Sequence, residues 1–207
     1  MGNATASLDF EISKAVIVVT EISAVDRAYN GTLEVEIDKN DTIEYTGLIT
    51  GDEVGFDLSG LTGTIADANA GKDKTVKVEG SIVLTGDDAK NYSVSTPEST
   101  TVNITPATVT ITPDDLSSEQ YYDLPDLTYT VTGLIGDDKV ETEPTLTTDA
   151  DVKKTGDYTI TATGATVTNS DNYIIEYATG KMAITEHKNH KVAEDGEHLH
   201  EQRIDRQ

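Results

Sequence analysis

Cysteine is absent from this chain of 207 residues, which excludes disulfides and thiolate metal sites. Tryptophan is absent too, and phenylalanine occurs only at Phe10 and Phe56. Any core must therefore be thin and built from Val, Ile, Leu and the nine tyrosines. Positive charge is scarce, with 15 Lys and Arg against 38 Asp and Glu, a net charge of −23. That balance argues against nucleic acid and against adsorption to anionic membrane, and it suits a self-repelling surface protein. No apolar run approaches the roughly 20 residues of a membrane span. Histidine is confined to His187, His190, His198 and His200, so Ser-His and Cys-His nucleophilic sites are excluded from the body of the chain. The N-terminus lacks the basic-then-apolar order of a signal peptide, and Ser7-Leu8-Asp9-Phe10-Glu11-Ile12-Ser13 already reads as a strand. The expectation is an internal piece of something longer.

What is present in quantity is repetition. Residues 46–52 read T-G-L-I-T-G-D and residues 132–138 read T-G-L-I-G-D-D. The pair Asn91-Tyr92 returns as Asn172-Tyr173, and Ile104-Thr105 returns as Ile184-Thr185. An echo that brings its flanking strands along, at a spacing of roughly one small domain, marks modules in tandem. Gly47 and Gly133 are therefore expected to occupy equivalent turns. Within the modules the apolar residues alternate: Leu33, Val35 and Ile37; Ile43 and Tyr45; Val54, Phe56 and Leu58; Val76 and Val78; Val83; Tyr92 and Val94; Val102 and Ile104. In the second half the series is Leu127, Tyr129 and Val131; Tyr158, Ile160 and Ala162; Tyr173, Ile175 and Tyr177; Met182 and Ile184. A period of two predicts half-buried strands, broken by Gly, Asn and Asp turns, and no stretch carries the spacing of a long helix.

The predicted fold class is all-β: two tandem small modules, β-sandwich or β-grasp-like, in an elongated array. The expected division places a preceding repeat's end strand or a leader at 1–13, modules at 14–105 and 106–185, and a polar tail or linker at 186–207. Pro106 between them predicts a short, stiff connection.

On these residues the first module resembles the YDG domain of bacterial adhesins and secreted surface proteins. The resemblance runs from Tyr29-Asn30-Gly31-Thr32, where the family has Tyr-Asp-Gly, through Gly51-Asp52-Glu53-Val54 and Asn69-Ala70-Gly71-Lys72 to Leu84-Thr85-Gly86-Asp87-Asp88-Ala89-Lys90-Asn91-Tyr92. Asn30 is the main departure. The second module resembles the MBG domain that commonly follows it, through Tyr121-Tyr122-Asp123, Leu127 to Leu134, Gly156-Asp157-Tyr158, Asn172-Tyr173 and Gly180-Lys181-Met182, without the usual Tyr-Gly pair. These resemblances imply a non-catalytic repeat region of a bacterial surface adhesin, extracellular, secreted or attached to the cell wall.

Candidate sites compete with plainer readings. The Gly-rich turns do not open helices, so they read as turns and not phosphate cradles. Asp87, Asp88, Asp114 and Asp115 offer hard oxygen ligands of the kind calcium takes, yet without EF-hand spacing, so solvated turns compete with a calcium site. No other cofactor is expected. The tail histidines suit zinc or nickel, or simply a linker. A Lys14–Asn103 isopeptide bond is chemically eligible if a buried carboxylate lies between them. Three functions follow: a stalk presenting other domains, with neighbouring repeats as partners; direct adhesion to a host glycan or matrix protein, through exposed rings among Tyr29, Tyr121, Tyr122 and Tyr177; and a hydrolase accessory module.

Overall fold

The computed structural model describes residues 10–40 and 43–188. Among them there are only strands and two three-residue 3-10 turns, Ala89–Asn91 and Ser170–Asn172. The fold is all-β. The first module carries β1 (Ala15–Glu21), β2 (Arg27–Ala28), β3 (Glu34–Val35), β4 (Glu44–Thr46), β5 (Gly55–Asp57), β6 (Thr62–Ile65), β7 (Gly71–Glu79), β8 (Val83–Thr85), β9 (Tyr92–Ser95) and β10 (Ser99–Thr105). The second carries β11 (Ala107–Pro113), β12 (Leu116–Glu119), β13 (Tyr129–Thr132), β14 (Val140–Thr142), β15 (Thr145–Thr148), β16 (Gly156–Thr163), β17 (Thr166–Val167), β18 (Tyr173–Tyr177) and β19 (Gly180–Thr185). Pro106 alone separates β10 from β11.

The two modules share one topology. In the first, the sheets run β4-β1-β9 and β2-β10-β7-β6-β3, with a β5-β8 ribbon. In the second they run β13-β11-β18 and β12-β19-β16-β15, with a β14-β17 ribbon. Each strand of the second module thus has a counterpart in the first, and β3 has no counterpart among the described residues of the second. Parallel pairs recur at matching places: Ala15 faces Tyr92 as Ala107 faces Tyr173. The edge strands β2 and β3 are only two residues each, which limits chance pairing at the edges of that sheet.

Alternation explains most of the burial. Ile17 and Val19 of β1, Val76 and Val78 of β7, and Val102 and Ile104 of β10 point inward, while Val16 and Val18 face solvent. Val19 of one sheet and Val76 of the other lie in the same apolar cluster, the arrangement of a small sandwich. Four members of the expected series are exposed, Leu33, Tyr45, Val83 and Tyr177. Leu33 is exposed because it precedes β3, and Val83 is exposed while Ile82 is buried. The chain reverses at Gly80, with φ of +100°, and enters β8 with its parity changed.

The chain packs as two compact units that do not follow the module boundary. The first runs through Ile111 and adds Val131–Thr145 and Thr163–Tyr177; it holds the whole first module together with the β13-β11-β18 side of the second. Its core joins Val76, Val102 and Ile104 to Val109, Val167 and Tyr173. The second unit comprises Thr112–Thr130, Leu146–Ala162 and the described residues from Ala178. Its core is small: Ile160, Met182 and Ile184, with Leu116, Leu124, Leu127, Ala150 and Tyr158 packed around them.

Candidate functional site

The echoed T-G-L-I turns and the repeated Asn-Tyr pairs form one device, built twice. In the first module the Tyr92 hydroxyl donates to Asp52 Oδ2 at 2.6 Å and accepts the Ile49 amide proton at 3.1 Å. In the second the Tyr173 hydroxyl donates to Asp138 Oδ2 at 2.7 Å and accepts from the Ile135 amide at 3.1 Å. Within each turn the aspartate amide closes back on the isoleucine carbonyl at 3.2 Å. The glycines match as well. Gly47 has φ of +95° and Gly133 +92°, and a Cβ on either would strike a backbone carbonyl, Val16 O or Thr108 O, at equivalent places on β1 and β11. Glycine is required for both reasons, the positive φ and the close approach. The turns are equivalent, as the repetition predicts.

The second copy is elaborated. Asp138 also accepts from Thr168 Oγ1 at 3.0 Å and from Asn169 Nδ2 at 2.6 Å. The signature of the first module closes over it. Tyr29 packs edge-on against Tyr173, ring centroids 5.4 Å apart and planes 83° apart, with its hydroxyl 3.5 Å from Asp138 Oδ2. Gly31, with φ of +75°, brings the chain so close to Ile135 that a Cβ would meet its Cγ2 at 3.2 Å. Alongside, Asn172 is a buried polar side chain, 3% exposed, and fully engaged: its Oδ1 accepts from the Ala70 amide at 2.8 Å and its Nδ2 donates to Asn69 Oδ1 at 3.0 Å. Buried amides are stable only when satisfied in this way.

Asn30 stands at the middle of the signature and shapes its turn. Its Oδ1 accepts from the Thr32 amide at 3.0 Å, from Thr32 Oγ1 at 2.8 Å and from Arg27 Nη1. Arg27 also reaches the Thr32 carbonyl at 2.8 Å, so the guanidinium braces the loop that presents Tyr29. An amide oxygen serves this turn as a carboxylate oxygen would, because only acceptor capacity is used.

Electrostatics follow the geometry. Burial, then the bond to Asp138, pushes the Tyr173 hydroxyl up to about 12. The same causes raise Tyr29, and burial with the Asp52 bond raises Tyr92. Asp138 lies below the usual carboxylate range, chiefly through the Tyr173 hydrogen bond. Tyr173 thus holds its proton in the folded state above about pH 10, where an unfolded tyrosine loses it. Its contribution is whole below that pH and is lost as pH rises towards the folded value. Urea unfolding followed from pH 9 to 12 should show stability falling steeply above about pH 10, with a shallower fall in Tyr173→Phe.

The structure distributes the sequence candidates widely. Tyr29 is buried against Tyr173, so it is not among the exposed rings; a loop tyrosine packs inward here because the lock of the second module receives it. Tyr177 is 38% exposed and its hydroxyl accepts from the Ala165 amide at 2.9 Å. Tyr121 and Tyr122 follow β12 and are exposed, 71% and 56%. Asp88 Oδ2 accepts from the Glu53 amide, Asp114 Oδ2 from Thr128 Oγ1, and Asp115 Oδ1 from the Lys181 amide, while Asp87 is an exposed turn residue. Among the described residues no group of three or more His, Asp or Glu side chains is arranged to hold a metal ion. Asn103 gives its amide to Asp26 Oδ2 at 2.9 Å, whereas Lys14 precedes β1 and lines the pocket beside Tyr92. His187 pairs with Glu119 at 3.0 Å beside the Tyr122 ring. His190, His198 and His200 lie outside the described residues.

Two modules of one topology, each closed by the same tyrosine–aspartate turn, define a protein of tandem all-β repeats. Family models identify them: residues 13–102 match the YDG domain, and residues 109–183 match the MBG domain of YGX type. The chain carries a YDG domain followed by an MBG domain, in the expected order. No curated protein matches it. Among the described residues no helix is long and apolar enough to cross a membrane.

Proposed function

We propose that the chain is a non-catalytic extracellular segment of a bacterial surface adhesin, serving as a stalk that presents other domains. The observation that carries this reading is the use made of the signature residues. Tyr29, Gly31 and Asn69 all contact the lock of the following module, so the most distinctive residues of the YDG domain serve to join repeats. The acidity fits a solvated spacer that repels its neighbours.

A second reading, direct adhesion, draws on Tyr121 and Tyr122, two adjacent exposed rings with the backbone of Tyr121 held at φ of +70°. Rigid aromatics of this kind anchor many interfaces. The full chain should be probed against an array of host glycans and matrix proteins. The stalk reading expects no saturable binding. Saturable binding abolished by Tyr121→Ala would replace it with the adhesive one.

A further inference from the structure

Asn30-Gly31 is the one Asn-Gly pair in the chain, and its side-chain amide is met by more donors than a turn requires. Three hydrogen bonds converge on the single oxygen Oδ1: from the Thr32 amide at 3.0 Å, from Thr32 Oγ1 at 2.8 Å and from Arg27 Nη1. The backbone amide and the guanidinium cannot accept, so the oxygen and not the nitrogen of Asn30 faces them. Convergent donors of this kind, one of them charged, stabilise negative charge developing on a carbonyl oxygen. They make the amide carbon electrophilic.

Arg27 supplies a second observation. Its bonds end on the Ala28, Thr32 and Glu34 carbonyls and on Asn30, all neutral acceptors, and its Nε is buried without a partner. Among the described residues no carboxylate pairs with it, although the chain has 38 acidic side chains against 15 basic ones. Burial holds the guanidinium below its ordinary range, and no nearby anion offsets the effect. A partly buried charge without a counter-ion is costly. Asn30 is the side chain in contact with it that hydrolysis would turn into one.

We propose that Asn30-Gly31 is a self-modifying site, in which the Gly31 nitrogen attacks the Asn30 side-chain carbonyl and the resulting imide hydrolyses to an aspartate that gives Arg27 its counter-ion. Gly31 has no side chain to obstruct the approach. Its nitrogen gives up its proton to solvent and bonds to Asn30 Cγ, closing a five-membered ring, while the carbonyl electron pair moves onto Oδ1 among its three donors. The pair then returns, the Cγ–Nδ2 bond breaks, and ammonia leaves with a proton from water. A water molecule adds to Cγ of the imide, the bond from Cγ to the Gly31 nitrogen breaks, and that nitrogen recovers its proton. Water is consumed and ammonium released, with no oxidant or cofactor. Asn30 is exposed, so both exchange with solvent. Because the donors polarise Cγ and not the backbone carbonyl, water enters there, and the product is normal aspartate in preference to isoaspartate.

The test uses the full chain, purified quickly in the cold and then held at mildly alkaline pH, folded in buffer or unfolded in urea. Peptides spanning Asn30 are followed by mass spectrometry, with electron-transfer fragmentation to tell aspartate from isoaspartate. The expected result is conversion at least tenfold faster in the folded chain, with aspartate the main product there and isoaspartate the main product in urea. A folded rate no greater than the unfolded one, or isoaspartate as the main folded product, overturns the proposal. Arg27→Gln, shown by circular dichroism to be folded, should slow conversion at least tenfold, and an unchanged rate overturns it as well. Should that variant not fold, the comparison on the unaltered chain decides alone. The counter-ion role is read from Asn30→Asp, whose urea midpoint should lie above that of the freshly purified chain; an equal or lower midpoint contradicts it. The proposal does not depend on the stalk reading, and a glycan array leaves either result standing.

Discussion

Gly133→Ala is expected to destabilise the first compact unit by about 3–4 kcal/mol, because two penalties coincide at one position. A side chain at positive φ costs roughly 1–2 kcal/mol, and forcing a methyl into a closed contact adds about 1–3 kcal/mol. The added Cβ would fall on Thr108 O, part of the neighbouring strand, and a strand carbonyl cannot swing aside as a long side chain does. Gly136 supplies the control: its φ is +61°, but nothing lies within 4 Å of its Cβ position. Gly136→Ala should therefore cost only about 1 kcal/mol. Urea unfolding followed by circular dichroism separates the two. Gly47→Ala should resemble Gly133→Ala, since Val16 O stands in the place of Thr108 O. A mild Gly133→Ala, no worse than Gly136→Ala, would mean the turn can relax away from β11.

Asp138→Ala is the second large effect, expected at about 3 kcal/mol from leaving the buried Tyr173 hydroxyl unsatisfied and losing two further bonds. The carboxylate accepts from the Tyr173 hydroxyl, Thr168 Oγ1 and Asn169 Nδ2, and removing it strands the tyrosine proton beneath the turn. Asp52→Ala removes the acceptor of the Tyr92 hydroxyl, but Asp52 lacks the further side-chain donors that Asp138 serves among the described residues, so about 1–2 kcal/mol is expected. Asp138→Asn retains an acceptor oxygen and should fall between them. Chemical denaturation at neutral pH measures all three. Equal costs at Asp138 and Asp52 would show that the added donors around Asp138 contribute nothing.

The repeat of T-G-L-I, the period-two strands and the Asn-Tyr pairs are all legible in the sequence, and they lead to the right fold class and the right order of domains. Turn glycines are readable because their requirement is local: positive φ and a close strand leave their mark on residue type. The hydroxyl chemistry of Tyr92 and Tyr173 is harder to read, although the recurrence of Asn-Tyr beside the recurring aspartate is its signal. A tyrosine in a strand pattern is counted as core, and its bond to a turn far along the chain has no local signature. Tyr29 is misplaced by sequence reasoning for a related reason. Its loop looks exposed within its own module, and it becomes buried only because Tyr173 and Asp138 arrive from more than a hundred residues later. Leu33 and Val83 show the limit of alternation itself, since parity is kept only along an unbroken strand.

The division into compact units has the same origin. The family matches follow sequence continuity, 13–102 and 109–183, while packing groups the β13-β11-β18 sheet with the first module. Tyr173, Val109 and Val167 belong to the larger core, and this is why the joint has the burial of an interior and not of a linker.

The central claim, that the YDG signature is a structural joint, is tested most directly by a double-mutant cycle on Tyr29→Ala and Asp138→Ala in the full chain. Coupling of at least about 1 kcal/mol in unfolding free energy is predicted for residues sharing one buried network. Costs that add to within about 0.3–0.5 kcal/mol, the behaviour of independent sites, would contradict it.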